Sequence, residues 1–136
     1  MRRAMPHQII EYSENLESML DTKRLIDGMH KAAAETDGLP LGGLRTRVAV
    51  RSHYEIADQS PDNAFVHLIL KLGHGRTDEV KQGFGDRLFP ILCELLAPVS
   101  AVHPIAISFE IQEIHPKLTW KQSNLREHMT KRNEQE

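Results

Sequence analysis

Cysteine is nearly absent from this chain, and its scarcity excludes two kinds of structural cross-link. The one cysteine, Cys93, cannot form an intramolecular disulfide. A lone thiol also cannot supply the several thiolates of a structural zinc site. Cys93 lies in an apolar, helix-like stretch, so we interpret it as a buried packing residue.

Strong charge of one sign and long apolar runs are missing as well. The formal net charge is −2, which disfavours a generally basic nucleic-acid binder. No apolar run approaches the ~20 residues that a membrane-spanning helix needs. Arg2 and Arg3 have no apolar stretch behind them, so they do not begin a secretory signal. We therefore expect no nucleic-acid partner, no membrane partner and a cytoplasmic location.

What is present is typical of one globular domain. The chain has 136 residues, of which 40% are apolar and 26% charged, so it can bury a core without covalent staples. Alternating or nearly continuous apolar runs predict strands at about 7–12, 44–51, 64–72 and 105–112. Apolar residues at helical spacing predict one helix at about 16–35 and a second that Thr77 caps and Pro90 kinks. The second helix carries the stripe Val80, Phe84, Leu88, Leu92 and Leu95.

The order of these elements is strand, helix, strand, repeated once. Each crossover helix should return its two strands parallel. Two helices on one face of a four-stranded sheet leave the other face bare, so we expect an oligomer that covers its apolar part.

Pro6 is the first candidate for chemistry. If translation starts at Met5, removal of the initiator leaves Pro6 with a free secondary amine at the start of a strand. An ordinary α-amino group titrates near ~8, and burial or nearby cations lower that pKa. A base poised near neutral pH suits proton abstraction beside a carbonyl. The plainer interpretation is that Pro6 only opens a strand.

Two arginines are the next candidates. Arg76 follows a glycine-containing turn at a helix start, where backbone N–H groups attract anions and a guanidinium adds a carboxylate clamp. Arg45 shares a strand face with Arg47 and Arg51, and the three repel one another unless anions or acids lie opposite. Arg76 could instead be a solvated residue near a cap, and the strand face could instead carry salt bridges at a subunit interface.

The histidines form no metal-binding signature. No H-x-x-x-H spacing lies in a clear helix and no Glu-His cluster suggests zinc, so we expect no metal. His67 lies in a strand and is interpreted as a core or interface residue. His74 lies in the turn beside Arg76 and is a weaker candidate for the site.

Four segments in this order resemble one known family. They are Pro6-His7, the run from Pro40 to Val48, the strand and turn from Asn63 to Arg76, and the run from Ser108 to Pro116. Together they are similar to the 5-carboxymethyl-2-hydroxymuconate isomerases of the tautomerase superfamily, whose members carry a catalytic amino-terminal proline. The resemblance runs from Pro6 to about Leu125.

The resemblance implies an α+β fold of the type β-α-β/β-α-β, with a four-stranded mixed sheet and two helices on one face. It implies a homotrimer and a cofactor-free isomerase that acts on a small dicarboxylate or tricarboxylate in homoprotocatechuate breakdown. Pro6 would be the catalytic proline, and Arg45 and Arg76 would bind and polarise the anionic substrate. The domain would cover residues 6–125, with an extension at 1–5 absent from the mature protein and a charged, frayed tail at 126–136.

Two other functions remain open at this point. With Met1 to Met5 attached, Pro6 is an amide without a basic lone pair, which favours a non-catalytic oligomeric binding protein for small anionic carboxylates. A decarboxylase or dehalogenase on the same scaffold would add an acid to activate water, and Glu110 and Glu113 are the acids near the last strand. Nothing in the sequence promotes either glutamate.

Overall fold

A computed structural model describes residues 6–134 of the chain. The strands are β1 (His7–Ser13), β2 (Arg45–Arg51), β3 (Ala64–Gly73) and β4 (Ile105–Ile114). The α-helices are α1 (Thr22–Ala34), α2 (Asp78–Leu95), the single turn α3 (Ala97–Ser100) and α4 (Leu125–Glu134). Short 3₁₀ turns occupy Glu14–Leu16 and Leu41–Gly43. The predicted extension at 1–5 lies outside the described residues.

The four strands form one mixed sheet in the order β2-β1-β3-β4. β1 is parallel to β2 and antiparallel to β3, and β3 is parallel to β4. Each parallel pair is joined by a crossover helix, α1 in the first half and α2 in the second, as the order of elements predicts. The fold class expected from the sequence is therefore confirmed.

The core lies on one face of the sheet. The even-numbered side chains of β1 and β3 are buried, whereas the odd-numbered ones are half-buried, except for the buried Ser13 at the end of β1. Buried residues of α1 (Leu25, Met29) and of α2 (Phe84, Leu88) join the same core cluster. The opposite face carries no helix among the described residues, so a layer of half-buried side chains faces outward. This bare face is the one for which the sequence predicts a partner subunit.

The first helix begins later than predicted. The spacing of Leu16 and Leu20 suggests a helix from about residue 16, but Leu16 belongs to the 3₁₀ turn and α1 begins at Thr22. Asp21 explains this start, because its carboxylate accepts a hydrogen bond from the backbone N–H of Arg24 at 3.1 Å. The prediction of a helix from residue 16 is therefore wrong by about one and a half turns.

The kink at Pro90 stays a prediction, whereas the tail differs from what the sequence predicts. α2 continues through Pro90 to Leu95. Both Pro90 and Asp86, whose carbonyl loses its donor there, are exposed, so water can satisfy that carbonyl. The tail predicted to fray is helical over Leu125–Glu134. None of the helices between residues 6 and 134 is long and apolar enough to cross a membrane.

Candidate active site

Pro6 lies at the end of the sheet where β1 and β2 begin. It is buried, and its carbonyl accepts a hydrogen bond from the backbone N–H of Arg45 at 3.0 Å. The parallel register pairs His7 with Arg45, and the antiparallel register pairs His7 with Lys71 near the end of β3. Pro6 is therefore flanked on one side by the strand of Arg45 and on the other by the strand that leads to Arg76.

Arg76 is buried, with a relative exposure of 9%. Its Nη1 donates to the carbonyl of Gly73 at 3.1 Å, and its Nη2 donates to the carbonyl of Gly38 at 2.8 Å. Its guanidinium also lies 5.8 Å from the centroid of the Phe84 ring, in a cation–π contact. Arg76 thus ties the turn after β3 to the segment that follows α1, which the plainer interpretation of a solvated arginine does not predict.

The local sequence explains why this tie forms. Gly75 has φ +107°, a left-handed conformation that glycine adopts without strain, and this reverses the chain directly before Arg76. Gly38 likewise has φ +93°. Thr77 then caps α2, because its hydroxyl accepts a hydrogen bond from the N–H of Val80 at 3.2 Å. The predicted cap is therefore present.

A cleft of about 620 Å³ opens beside Arg76. Its walls are the 38–40 segment on one side and Arg76, Thr77, Val80 and Phe84 on the other. Pro6 and Arg45 do not line this cleft. The structure brings the three predicted residues to one end of the sheet, with Arg76 lining the cleft and the other two where the parallel strands β1 and β2 begin.

Arg45 is half-buried and is held by its own loop. Its Nη1 donates to the carbonyl of Gly43 at 3.3 Å. The other arginines of this strand face have partners on β1. Arg47 Nη1 lies 3.0 Å from His7 Nδ1, and Arg51 Nε lies 2.6 Å from Glu11 Oε2. Salt-bridge formation therefore accounts for Arg51, and Arg45 is the arginine of this face that lies beside Pro6.

The charges at this end of the sheet disfavour additional positive charge. The pKa of His7 is lowered from its ordinary value of 6.5, first by burial and then by Arg47, Arg45 and Lys71. A neutral His7 also fits the geometry, since its Nδ1 can accept the hydrogen bond from Arg47. The positive charges at this end of the sheet would attract an anionic ligand and disfavour the binding of a proton.

The remaining candidates lie elsewhere. His67 is on the open face, where Nδ1 lies 2.6 Å from Ser108 Oγ and Nε2 lies 2.8 Å from Glu110 Oε1. Glu113 forms an ion pair with Lys81 at 3.4 Å. His74 is exposed in its turn, and Cys93 is half-buried rather than buried as predicted. Across residues 6–134, no group of three or more potential ligands could hold a metal ion.

Sequence reasoning missed the role of the 38–43 segment. It predicted a loop there, but not that the carbonyls of Gly38 and Gly43 hold Arg76 and Arg45. The glycines were the available signal, since Gly38 needs a positive φ and the pair Gly42-Gly43 allows other groups to approach the backbone closely.

Comparison with known proteins identifies a family. The family model described as 5-carboxymethyl-2-hydroxymuconate isomerase matches residues 6–129, which include Pro6, Arg45 and Arg76. A 5-carboxymethyl-2-hydroxymuconate Delta-isomerase of Escherichia coli is 38% identical over 121 residues. That alignment covers 89% of this chain and 96% of the E. coli protein.

Solved structures agree with the family model. A 5-carboxymethyl-2-hydroxymuconate isomerase from Deinococcus radiodurans R1 has a TM-score of 0.84 and 36% identity, over 93% of this chain and 96% of that one. A wild-type fused 4-OT symmetric trimer has a TM-score of 0.64 and 16% identity, over 87% of this chain and 92% of that one, a likeness in fold alone. The family predicted from the four sequence segments is confirmed: the chain belongs to the 5-carboxymethyl-2-hydroxymuconate isomerases, a family of isomerases in the tautomerase superfamily.

Proposed function

We propose that this isomerase moves a proton within 5-carboxymethyl-2-hydroxymuconate or a close analogue, in the breakdown of homoprotocatechuate and without a cofactor. The Delta-isomerase named for the E. coli relative is the starting point. The observation that carries the proposal is the position of Pro6, which is buried at the sheet end where β2 delivers Arg45 and β3 leads to Arg76.

The base in this proposal is the amine of Pro6, freed by removal of residues 1–5. Burial and neighbouring cations both disfavour a protonated amine, so the free amine would be neutral and able to accept a proton. It removes a proton from the 2-hydroxyl group or the adjacent carbon of the substrate. The same nitrogen returns that proton two carbons away, so one group acts as base and then as acid.

Arg45 and Arg76 act as the electrophilic groups. They bind carboxylate and carbonyl oxygens and stabilise the negative charge that develops on the dienolate. Fixing these oxygens also aligns the conjugated system over Pro6. Arg76 is rigidly held by two backbone carbonyls, so its guanidinium needs little reorganisation as charge develops.

We further propose a homotrimer that covers the open face of the sheet. This face exposes parts of Ile9, Phe65 and Ile69 beside the pairs Arg51–Glu11 and His67–Glu110. A mixed apolar and ion-paired surface is typical of a subunit interface. The fused 4-OT structure, which shares this fold, is named as a symmetric trimer.

Removal of the first five residues is the decisive experiment. One form of the protein begins at Pro6 and a second retains residues 1–5 behind an uncleavable start. The ultraviolet absorbance of 5-carboxymethyl-2-hydroxymuconate is followed with each form. We expect turnover only from the form with a free Pro6 amine, and Pro6→Ala in the same form should fold but turn over more slowly.

Two outcomes would contradict the proposal. A folded protein that begins at Pro6 and leaves the substrate spectrum unchanged would favour a non-catalytic protein that binds small carboxylates. Equal activity from the form that retains residues 1–5 would remove Pro6 as the base, since an amide nitrogen has no basic lone pair. Intact mass of the protein from its native source then reports which form exists.

A further inference from the structure

The C-terminal helix α4 lies against the segment that carries both anchoring carbonyls of the site. It packs on the 3₁₀ turn Leu41–Gly43, and its start is fixed by Ser123, whose hydroxyl accepts a hydrogen bond from the N–H of Leu125 at 3.2 Å. Arg126 is therefore held in the first turn of the helix, on the side of the 38–43 segment.

The contact between Arg126 and this segment requires a glycine. A Cβ atom placed on Gly42 would lie 2.7 Å from Nε of Arg126 and 2.8 Å from its Cγ. Both distances are shorter than real Cβ contacts allow, so any larger residue at Gly42 would push the arginine side chain away. Gly42 thus gives Arg126 direct access to the backbone beside Gly43.

Three guanidinium groups consequently border the 38–43 segment. Arg76 is bound to the carbonyl of Gly38, Arg126 covers Gly42, and Arg45 is bound to the carbonyl of Gly43. Because the Cα atoms of Gly42 and Gly43 are about 3.8 Å apart, the guanidinium groups of Arg126 and Arg45 lie within roughly 14 Å of each other. A branched six-carbon diacid with a hydrogen bond at each end can span such a separation.

Folding stability alone does not favour an arginine at position 126. A cation in the first turn of a helix opposes the helix dipole, and a nearby guanidinium repels it. Within residues 6–134, Arg126 makes no ion pair or hydrogen bond with an acidic side chain. A bound anion would relieve both unfavourable terms.

We propose that Arg126 binds the carboxylate of the substrate's carboxymethyl branch, so that α4 contributes to substrate specificity. This inference rests on the proposed function, because it assigns the third carboxylate of a tricarboxylate whose other two face Arg45 and Arg76. Arg126 is exposed, so its contact is with a carboxylate at the mouth of the site and not with the reacting carbons. Its effect is on binding, while the chemical step depends on Pro6.

The test compares two anions that differ in one carboxylate. 5-Carboxymethyl-2-hydroxymuconate and 2-hydroxymuconate are offered to the protein that begins at Pro6, and KM is measured for each. An inhibition constant replaces KM if the dicarboxylate binds without turnover. Arg126→Gln should raise KM for the tricarboxylate roughly tenfold, leave kcat within about twofold and leave dicarboxylate binding unchanged.

Two further variants make the test specific. Arg132→Gln removes an arginine from the last turn of the same helix and should leave both KM values unchanged. Gly42→Ala keeps the charge but displaces the Arg126 side chain, so it should reproduce the selective rise in KM and add little to Arg126→Gln.

Failure of this inference is distinguishable from failure of the proposed function. Equal KM changes for both anions, or no change with Arg126→Gln, would overturn the role of Arg126 in an active enzyme. An Arg132→Gln effect of the same size would also overturn it, since any cation on α4 would then suffice. Absence of turnover in the unsubstituted protein would instead overturn the proposed function itself.

Discussion

Arg76 should stabilise the fold as well as bind substrate, and Arg76→Ala tests this directly. The substitution removes hydrogen bonds to the carbonyls of Gly73 and Gly38 and the contact with the Phe84 ring. A hydrogen bond from a charged donor contributes about 1.5–3 kcal/mol, and a cation–π contact about 0.5–1 kcal/mol. Water can reach Gly38, which is exposed, so we expect a net loss of about 3 kcal/mol in the free energy of unfolding.

Two matched variants separate charge from geometry. Arg76→Lys keeps the charge, but one ammonium cannot reproduce a planar fork between two carbonyls, so about half of the loss should remain. Arg87→Ala removes an exposed arginine of α2 whose Nε donates to Thr36 Oγ1 at 2.8 Å, and it should cost under about 1 kcal/mol.

Urea unfolding followed by circular dichroism, without substrate and at one protein concentration, measures these differences. Activity of the same samples should fall with Arg76→Ala in both kcat and kcat/KM. The reasoning is refuted if Arg76→Ala unfolds within about 1 kcal/mol of the unsubstituted protein. Such a result, together with lost activity, would make Arg76 a substrate clamp with no structural role.

Three other predictions follow from local geometry. Gly75→Ala and Gly83→Ala both place a methyl group in open space, but only Gly75 has a positive φ. Urea unfolding should therefore show a loss of about 1 kcal/mol or more at Gly75 and a gain of about 0.5–1 kcal/mol at Gly83, and the reverse order would contradict the backbone argument. Thr77→Ala should cost about 1 kcal/mol through the lost helix cap, measured in the same way. The lowered pKa of His7, caused by burial and then by nearby cations, means that the unfolded chain binds its proton more readily. Stability should be complete above pH 6.5 and fall as the pH drops below it, and His7→Asn should flatten this slope in urea titrations at several pH values.

The sequence predicted the sheet well because its strands obey one rule. β4 half-buries every second residue against the helices, and alternation of residue type records this directly, while β3 is a nearly continuous apolar run at the centre of the sheet. The helix that the sequence missed obeys no such rule. α4 has two apolar residues, Leu125 and Met129, and it packs on the 41–43 turn. A contact with backbone atoms leaves no periodic pattern of side chains.

The candidate site, too, has residues that the sequence could predict and contacts that it could not. Pro6, Arg45 and Arg76 could be selected from the sequence because each stands at the border of a predicted strand or helix. The partners of Arg76 could not be selected in the same way, because glycine at position 38 indicates a turn, but its carbonyl is a group that every residue carries. What distinguishes Gly38 is its position in three dimensions, which depends on the packing of α1 against α2.

One exception to the strand pattern lies beside the site itself. The buried face of β1 is apolar at Ile10 and Tyr12 but carries Gln8, which is fully buried two residues after Pro6. Gln8 Nε2 donates to the carbonyl of Met29 and to Thr46 Oγ1, both at 3.0 Å. These bonds tie the start of β1 to α1 and to β2.

The oxygen of the same amide shows the energetic cost of these hydrogen bonds. Within residues 6–134, Gln8 Oε1 has no hydrogen-bond partner although it is buried, and such a loss costs about 1–3 kcal/mol. A leucine at position 8 would avoid that loss, but it would also remove the side-chain hydrogen bonds to α1 and to Thr46 of β2. Exceptions of this kind are expected where a fold must orient a functional group rather than only bury it. The apolar residues therefore place β1 in the sheet, and Gln8 ties the start of the strand, two residues after Pro6, to α1 and β2.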